Sequence, residues 1–215
     1  MTPRPNRIWP AATLYGTSIL LLLGLYVASM RLGIPFGNLT RDPLAVTGGH
    51  PLIGIISNLG VLLWCMSATI CIFGYAVLGQ CAKTRALSGT LLWGGLLSTL
   101  LMADDLVQIH ERVGPHFGLD EKIVYALYGV LMLIFLARCG PFILRHTRWV
   151  QLLAAFLCFG LSLATDLTAG DSSLHFLVED GSKFLGVGGW FLYFADLAYG
   201  QIALSGIGGA SQGGA

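Results

Sequence analysis

Six long apolar stretches decide what this chain can fold into. They run from about Ala11 to Leu32, Pro51 to Gly79, Ala86 to Val113, Lys122 to Ile143, Trp149 to Leu167 and Leu174 to Leu204. A helix needs roughly 20 mostly apolar residues to cross a bilayer, and each stretch is about that long. In hydrocarbon every backbone N–H and C=O must be satisfied within the protein, which leaves helices as the solution for separate stretches of this kind. Charged residues are 11% of the chain and hydrophobic ones 55%, whereas a soluble domain carries about 25% charge. The expected fold is therefore all-α and polytopic, a bundle of six transmembrane helices forming one domain over residues 1–204. Residues 205–215 are Gly, Ser, Ala, Gln and Ile and read as a disordered tail.

The first stretch follows Arg4 and Arg7, as a secretion signal would, but it is long for one and no small-x-small cleavage site follows it. It reads as a retained first helix. The connection from Gly33 to His50 is the longest and reads as an ordered or semi-ordered loop. Lys and Arg set orientation. Arg4, Arg7, Lys83, Arg85, Arg138, Arg145 and Arg148 fall on one side; Arg31, Arg41, Arg112 and Lys122 fall on the other. That excess predicts cytoplasmic termini and an integral, multi-pass protein of the bacterial cytoplasmic membrane. Net charge is +1, so no broad basic surface points to nucleic acid. Cys65, Cys71, Cys81, Cys139 and Cys158 show no C-x-x-C spacing and read as small apolar side chains.

Two charged stretches interrupt this apolar chain: Met102 to Arg112 at the end of the third span, and Leu174 to Lys183 at the start of the sixth. Asp104 lies 18 residues past Ala86, about 27 Å along an α-helix, near the edge of the hydrocarbon. By connectivity the fifth span ends at the same membrane face, near Asp166. Nearly all the unusual charge therefore falls in one layer, toward the outer face in this orientation. At about 100° per residue, Asp104, Gln108 and Glu111 share one face of the third helix and His110 points away from it. His175, Glu179 and Lys183 form a stripe on the sixth, with Asp180 off it.

Carboxylates this close repel unless a cation, a proton or a basic partner intervenes. Three solutions stand side by side. The first is a metal: carboxylate and imidazole suit zinc, iron or manganese, with Asp104, Glu111, His175 and Glu179 as ligands. Asp105 and Asp166 would then be acid/base or supporting groups. The Glu-x-x-His spacing of bundle di-metal sites is missing. The second is a proton or cation path, since intramembrane Asp, Glu, His and Lys are the usual parts of one. The third is structural, with Glu179–Lys183 and Asp105–Arg112 closing the bundle as ion pairs. Tyr125 and Tyr128 read as interfacial anchors, and Trp149, Trp190 and Tyr193 as belts or packing.

At Asp104-Asp105, His110-Glu111, Glu179-Asp180, Lys183 and Gly186 the chain resembles a group of uncharacterised bacterial multi-helix membrane proteins. These carry an Asp-Glu … His-Glu stretch on one helix and Glu-Glu followed by Leu-Gly on a later one. The resemblance covers about the last half of the chain and implies no activity. Membrane hydrolases of the ceramidase and adiponectin-receptor type use a late His-x-x-x-His pair; here the residue four after His175 is Glu179.

The leading expectation is a metal-dependent membrane enzyme, hydrolytic or oxidative, acting on a lipid or other apolar substrate near the outer leaflet. Gln108, His110, Asp180 and Lys183 would surround its ligands. The alternative is a non-catalytic subunit of a larger membrane complex, or a proton- or cation-coupled carrier, built on the same cluster.

Overall fold

The computed structural model describes residues 9–78, 85–168 and 170–210, with side chains from 12 to 201 of these, and every regular element among them is a helix. Arg4, Arg7, Cys81, Lys83 and residues 211–215 of the expected tail lie outside the described residues. The chain divides into two compact units, Met1–Ile53 and Gly54–Ala215.

In the first unit, α1 (Trp9–Leu32) is followed by Gly33 at φ +67. The Ser29 hydroxyl donates to the Ile34 carbonyl at 2.6 Å, closing the helix end. The loop beyond it is ordered into two short helices, α2 (Phe36–Thr40) and α3 (Pro43–Thr47). Asp42 caps α3 by accepting from the Leu44 and Ala45 amides, which satisfies first-turn donors that the helix itself cannot. Phe36 packs edge-on against Tyr26 of α1.

The second unit contains α4 (Ile55–Leu78), α5 (Arg85–Val107), a π turn (Ile109–Val113), α6 (Gly114–His116), α7 (Glu121–His146), α8 (Trp149–Asp166) and α9 (Ser173–Ala210). Helix α9 packs chiefly on α8 and α4, α4 also on α5, and α7 on α5. The core is aromatic and centred on α9: Trp190 and Phe194 are fully buried, with Phe135 of α7, Leu91 of α5 and Cys71 of α4 around them. The Trp190 indole N–H donates to Ser98 Oγ at 2.9 Å, the partner a buried indole requires. Gly94 sits under the Phe194 ring, where a Cβ would come within 2.4 Å of it.

Large apolar side chains cover the outside. Leu133, Leu157 and Leu185 are each about two-thirds exposed, which suits a lipid environment and not water. Five helices are long and apolar enough to cross a membrane: Ala12–Leu32, Ile55–Leu78, Arg85–Val107, Glu121–His146 and Trp149–Asp166. These are the first five expected spans, and they make the chain a multi-pass membrane protein by length and composition. The sixth expected stretch is also a helix, α9, but Glu179, Asp180, Lys183 and Asp196 together with its glycines dilute its apolar character. One face of α9 packs on α4 and α8, while Leu185 and Leu192 on the rest of its surface are exposed. Its backbone stays helical to Ala210, beyond the start of the expected tail.

Candidate functional site

The third span does not continue as one helix to Val113. It stops at Val107, and Gln108 adopts φ 55, ψ 53, the one left-handed non-glycine residue among those described. The next turn is wide: the Val113 amide reaches back to the Gln108 carbonyl at 3.1 Å, an i to i+5 bond. Two downstream residues favour this. Pro115 has no N–H to return to the carbonyl of Glu111. Gly114 is buried, and a Cβ there would sit 2.9 Å from the Ile109 carbonyl oxygen.

The break re-aims His110. On a continuous helix it would point away from Asp104; here it folds back onto it. The buried Asp104 carboxylate accepts the His110 backbone N–H at 3.0 Å through Oδ1, and the ring Nδ1–H at 2.6 Å through Oδ2. The other ring nitrogen, Nε2, lies 3.4 Å from Glu111 Oε1, and Gln108 Nε2 donates to Glu111 Oε2 at 3.3 Å. Burial by itself would lower the His110 pKa, but its bonds to Asp104 and Glu111 outweigh that and raise it to about 9. Glu111 is held below the usual carboxylate range, first by its bond to His110. Both residues lie past the end of the apolar helix.

Asp105 is tied to two other helices. Its Oδ1 accepts from Lys183 Nζ of α9 at 2.7 Å, and its Oδ2 from the Trp64 indole N–H of α4 at 3.0 Å. Its side chain is 9% exposed and that of Lys183 42%. Lys183 therefore pairs across the unit with Asp105 and not with Glu179, and Asp105 does not depend on Arg112. A cavity of about 80 Å³ opens beside this pair; Ser57, Asp105, Glu111, Asp180 and Lys183 supply its polar lining.

His175 and Glu179 form a third group, with Nε2 and Oε2 3.3 Å apart one helical turn from each other. The Tyr125 hydroxyl lies 3.1 Å from Glu121 Oε1 and 3.2 Å from Asp166 Oδ2, within reach of either carboxylate, and its ring stands 5.1 Å from that of His110. Among the described residues no buried side-chain N or O lacks a hydrogen-bond partner.

The charged layer expected from connectivity is present, but the four residues expected as metal ligands fall into separate groups. Asp104, Glu111, His175 and Glu179 do not converge. Asp104 spends both oxygens on His110, and His175 and Glu179 engage each other. Among the described residues no three His, Cys, Asp or Glu side chains are grouped closely enough to hold a metal ion. Trp64, Tyr125 and Tyr128 are the residues that sequence reasoning passed over as site groups. Trp64 was open to discovery, because an indole N–H inside an apolar helix must find an acceptor. The tyrosines were read as anchors, yet the Tyr125 hydroxyl meets Asp166, and Tyr128 stands near Asp104.

A family model described as "Domain of unknown function (DUF8692)" matches residues 14–197. No curated protein and no solved structure matches the chain.

Proposed function

We propose that this chain, which belongs to the domain family of unknown function DUF8692, is a membrane protein that carries protons across the bilayer, and that its proton-handling centre is the Asp104–His110–Glu111 and Asp105–Lys183 cluster. In this reading α9 is a sixth span, both termini are cytoplasmic, and the cluster lies toward the outer face of a bacterial cytoplasmic membrane. The observation that carries the reading is the Lys183–Asp105 bond at 2.7 Å, made by residues 78 apart in the chain on the wall of a cavity shared with Glu111 and Asp180.

The chemistry depends on which group holds each carboxylate. A metal enzyme needs several of them free to converge on an ion. Here each pair already has a cation from the chain itself, His110 for Asp104 and Lys183 for Asp105. Each partner's charge sets the proton affinity of the other, so a proton gained or lost at one member of a pair changes the hold of its partner. Half-exposed Glu111 faces His110 Nε2 while Nδ1 faces buried Asp104. A proton arriving at Nε2 and leaving from Nδ1 moves inward by the width of one imidazole, a step to which histidine is suited. The cavity has room for several water molecules, enough to join this relay to Lys183 and Asp180.

The test is proton flux. The full chain is reconstituted in liposomes with a trapped pH dye, and a potassium diffusion potential is imposed. The wild type should carry protons faster than empty liposomes. Asp105→Asn should return the rate to that of empty liposomes, and His110→Gln should slow it by about tenfold or more, the usual scale for losing one acid–base group. A wild-type rate equal to that of empty liposomes would sink the proposal.

A further inference from the structure

At the opposite end of the second unit, α7 finishes, α8 begins and the last described side chains of α9 pass between them. There a cleft of about 380 Å³ is lined by Arg145, His146 and Arg148 on one side and by Tyr193 and Asp196 on the other. Among the described residues, two guanidinium groups and an imidazole line it together with one carboxylate. The one acidic group competes weakly: Arg148 and Asp196 are 4.0 Å apart, with side chains 84% and 53% exposed. The floor is fixed. Tyr193 is buried, and its hydroxyl lies 3.0 Å from Thr147 Oγ1. Helix α8 opens on this cleft without a side-chain cap, so the positive end of its peptide dipoles adds to the field.

We infer that this cleft binds a phosphate-bearing anion, with Arg145 and Arg148 as its principal donors. Guanidinium groups match phosphate oxygens two at a time. The volume admits a phosphate together with the polar group esterified to it. The level in the membrane suits a lipid headgroup as well as a soluble phosphate, because the ends of spanning helices lie where headgroup phosphates lie. This site is independent of the proton cluster and stands whether or not that proposal does.

The test uses the full chain, freed of lipid in non-ionic detergent. Thermal stability and direct binding are measured against inorganic phosphate, a short-chain phosphatidic acid, and a short-chain phosphatidylcholine of equal length. Either of the first two should raise the melting temperature and bind more tightly than phosphatidylcholine. Binding of inorganic phosphate marks a soluble ligand, and binding of phosphatidic acid alone marks a headgroup. The double variant Arg145→Ala, Arg148→Ala should weaken binding by at least about tenfold, the scale of one lost charge-assisted bond. Asp196→Asn, which removes the competitor for Arg148, should tighten it by severalfold; this variant carries the test if the double variant does not fold. No binding of either phosphate probe, or affinities unmoved by these changes, overturns the site.

Discussion

His110 shows how one side chain can reverse what burial alone would do. An imidazole taken out of water loses its proton more easily, yet the two carboxylates flanking this one raise its pKa to about 9. Its unfolded value is about 6.5. Between those two pH values the folded protein binds more protons than the unfolded chain, so stability falls as pH rises through that window. The contribution is complete below about pH 6.5 and gone above about pH 9, and is worth on the order of 1–3 kcal/mol. Melting curves from pH 6 to 10 should fall for the wild type and flatten for His110→Gln. Equal slopes in the two proteins would show that the Asp104–His110 pair does not stabilise the fold. Asp104 and His110 were both visible in the sequence as costly residues. Their partnership was not, because six residues apart on a regular helix they cannot meet in this way.

At the level of elements, the break at Gln108 is what the sequence concealed. Long apolar stretches fixed five helices to within a few residues, because hydrocarbon leaves the backbone few alternatives. The local geometry at residue 108 answers to other forces. A left-handed glutamine costs roughly 1–2 kcal/mol and no propensity would place it there. Three features downstream hold it: the tight fit of Gly114, the missing donor of Pro115, and the two bonds from His110 to Asp104. The Gly114-Pro115 pair was the readable sign that the helix could not simply run on. Gln108→Gly should relieve the strain and raise stability by up to about 1 kcal/mol, less whatever the exposed bond to Glu111 contributes. Gln108→Val, branched at Cβ, should lower it by a similar amount. Denaturant titration of the two variants measures both; a destabilised glycine variant would mean that the glutamine side chain, and not the backbone, holds the turn.

Across the second unit, packing depends on close approach around α9. Phe194 lies close against Gly94, so Gly94→Ala would drive a methyl into the ring. Overpacking of this kind costs about 1–3 kcal/mol, and the melting temperature should drop while Gly89→Ala, which meets open space, leaves it nearly unchanged. Equal behaviour of the two variants would contradict the packing described. The sequence put Trp190 and Tyr193 among belts or packing residues, and packing is where both are found. It could not rank α9 as the helix on which α4 and α8 pack, since its polar residues dilute the apolar pattern that would show a buried face.

Helix α9 is unbroken from Ser173 to Ala210 and carries a residue of each charged end. Lys183 and Asp196 are 13 positions apart, about 20 Å along the axis. Such a rod transmits torque. A twist that swings the ammonium off Asp105 would turn Asp196 against Arg148, so the contacts at the two ends of this helix share one alignment.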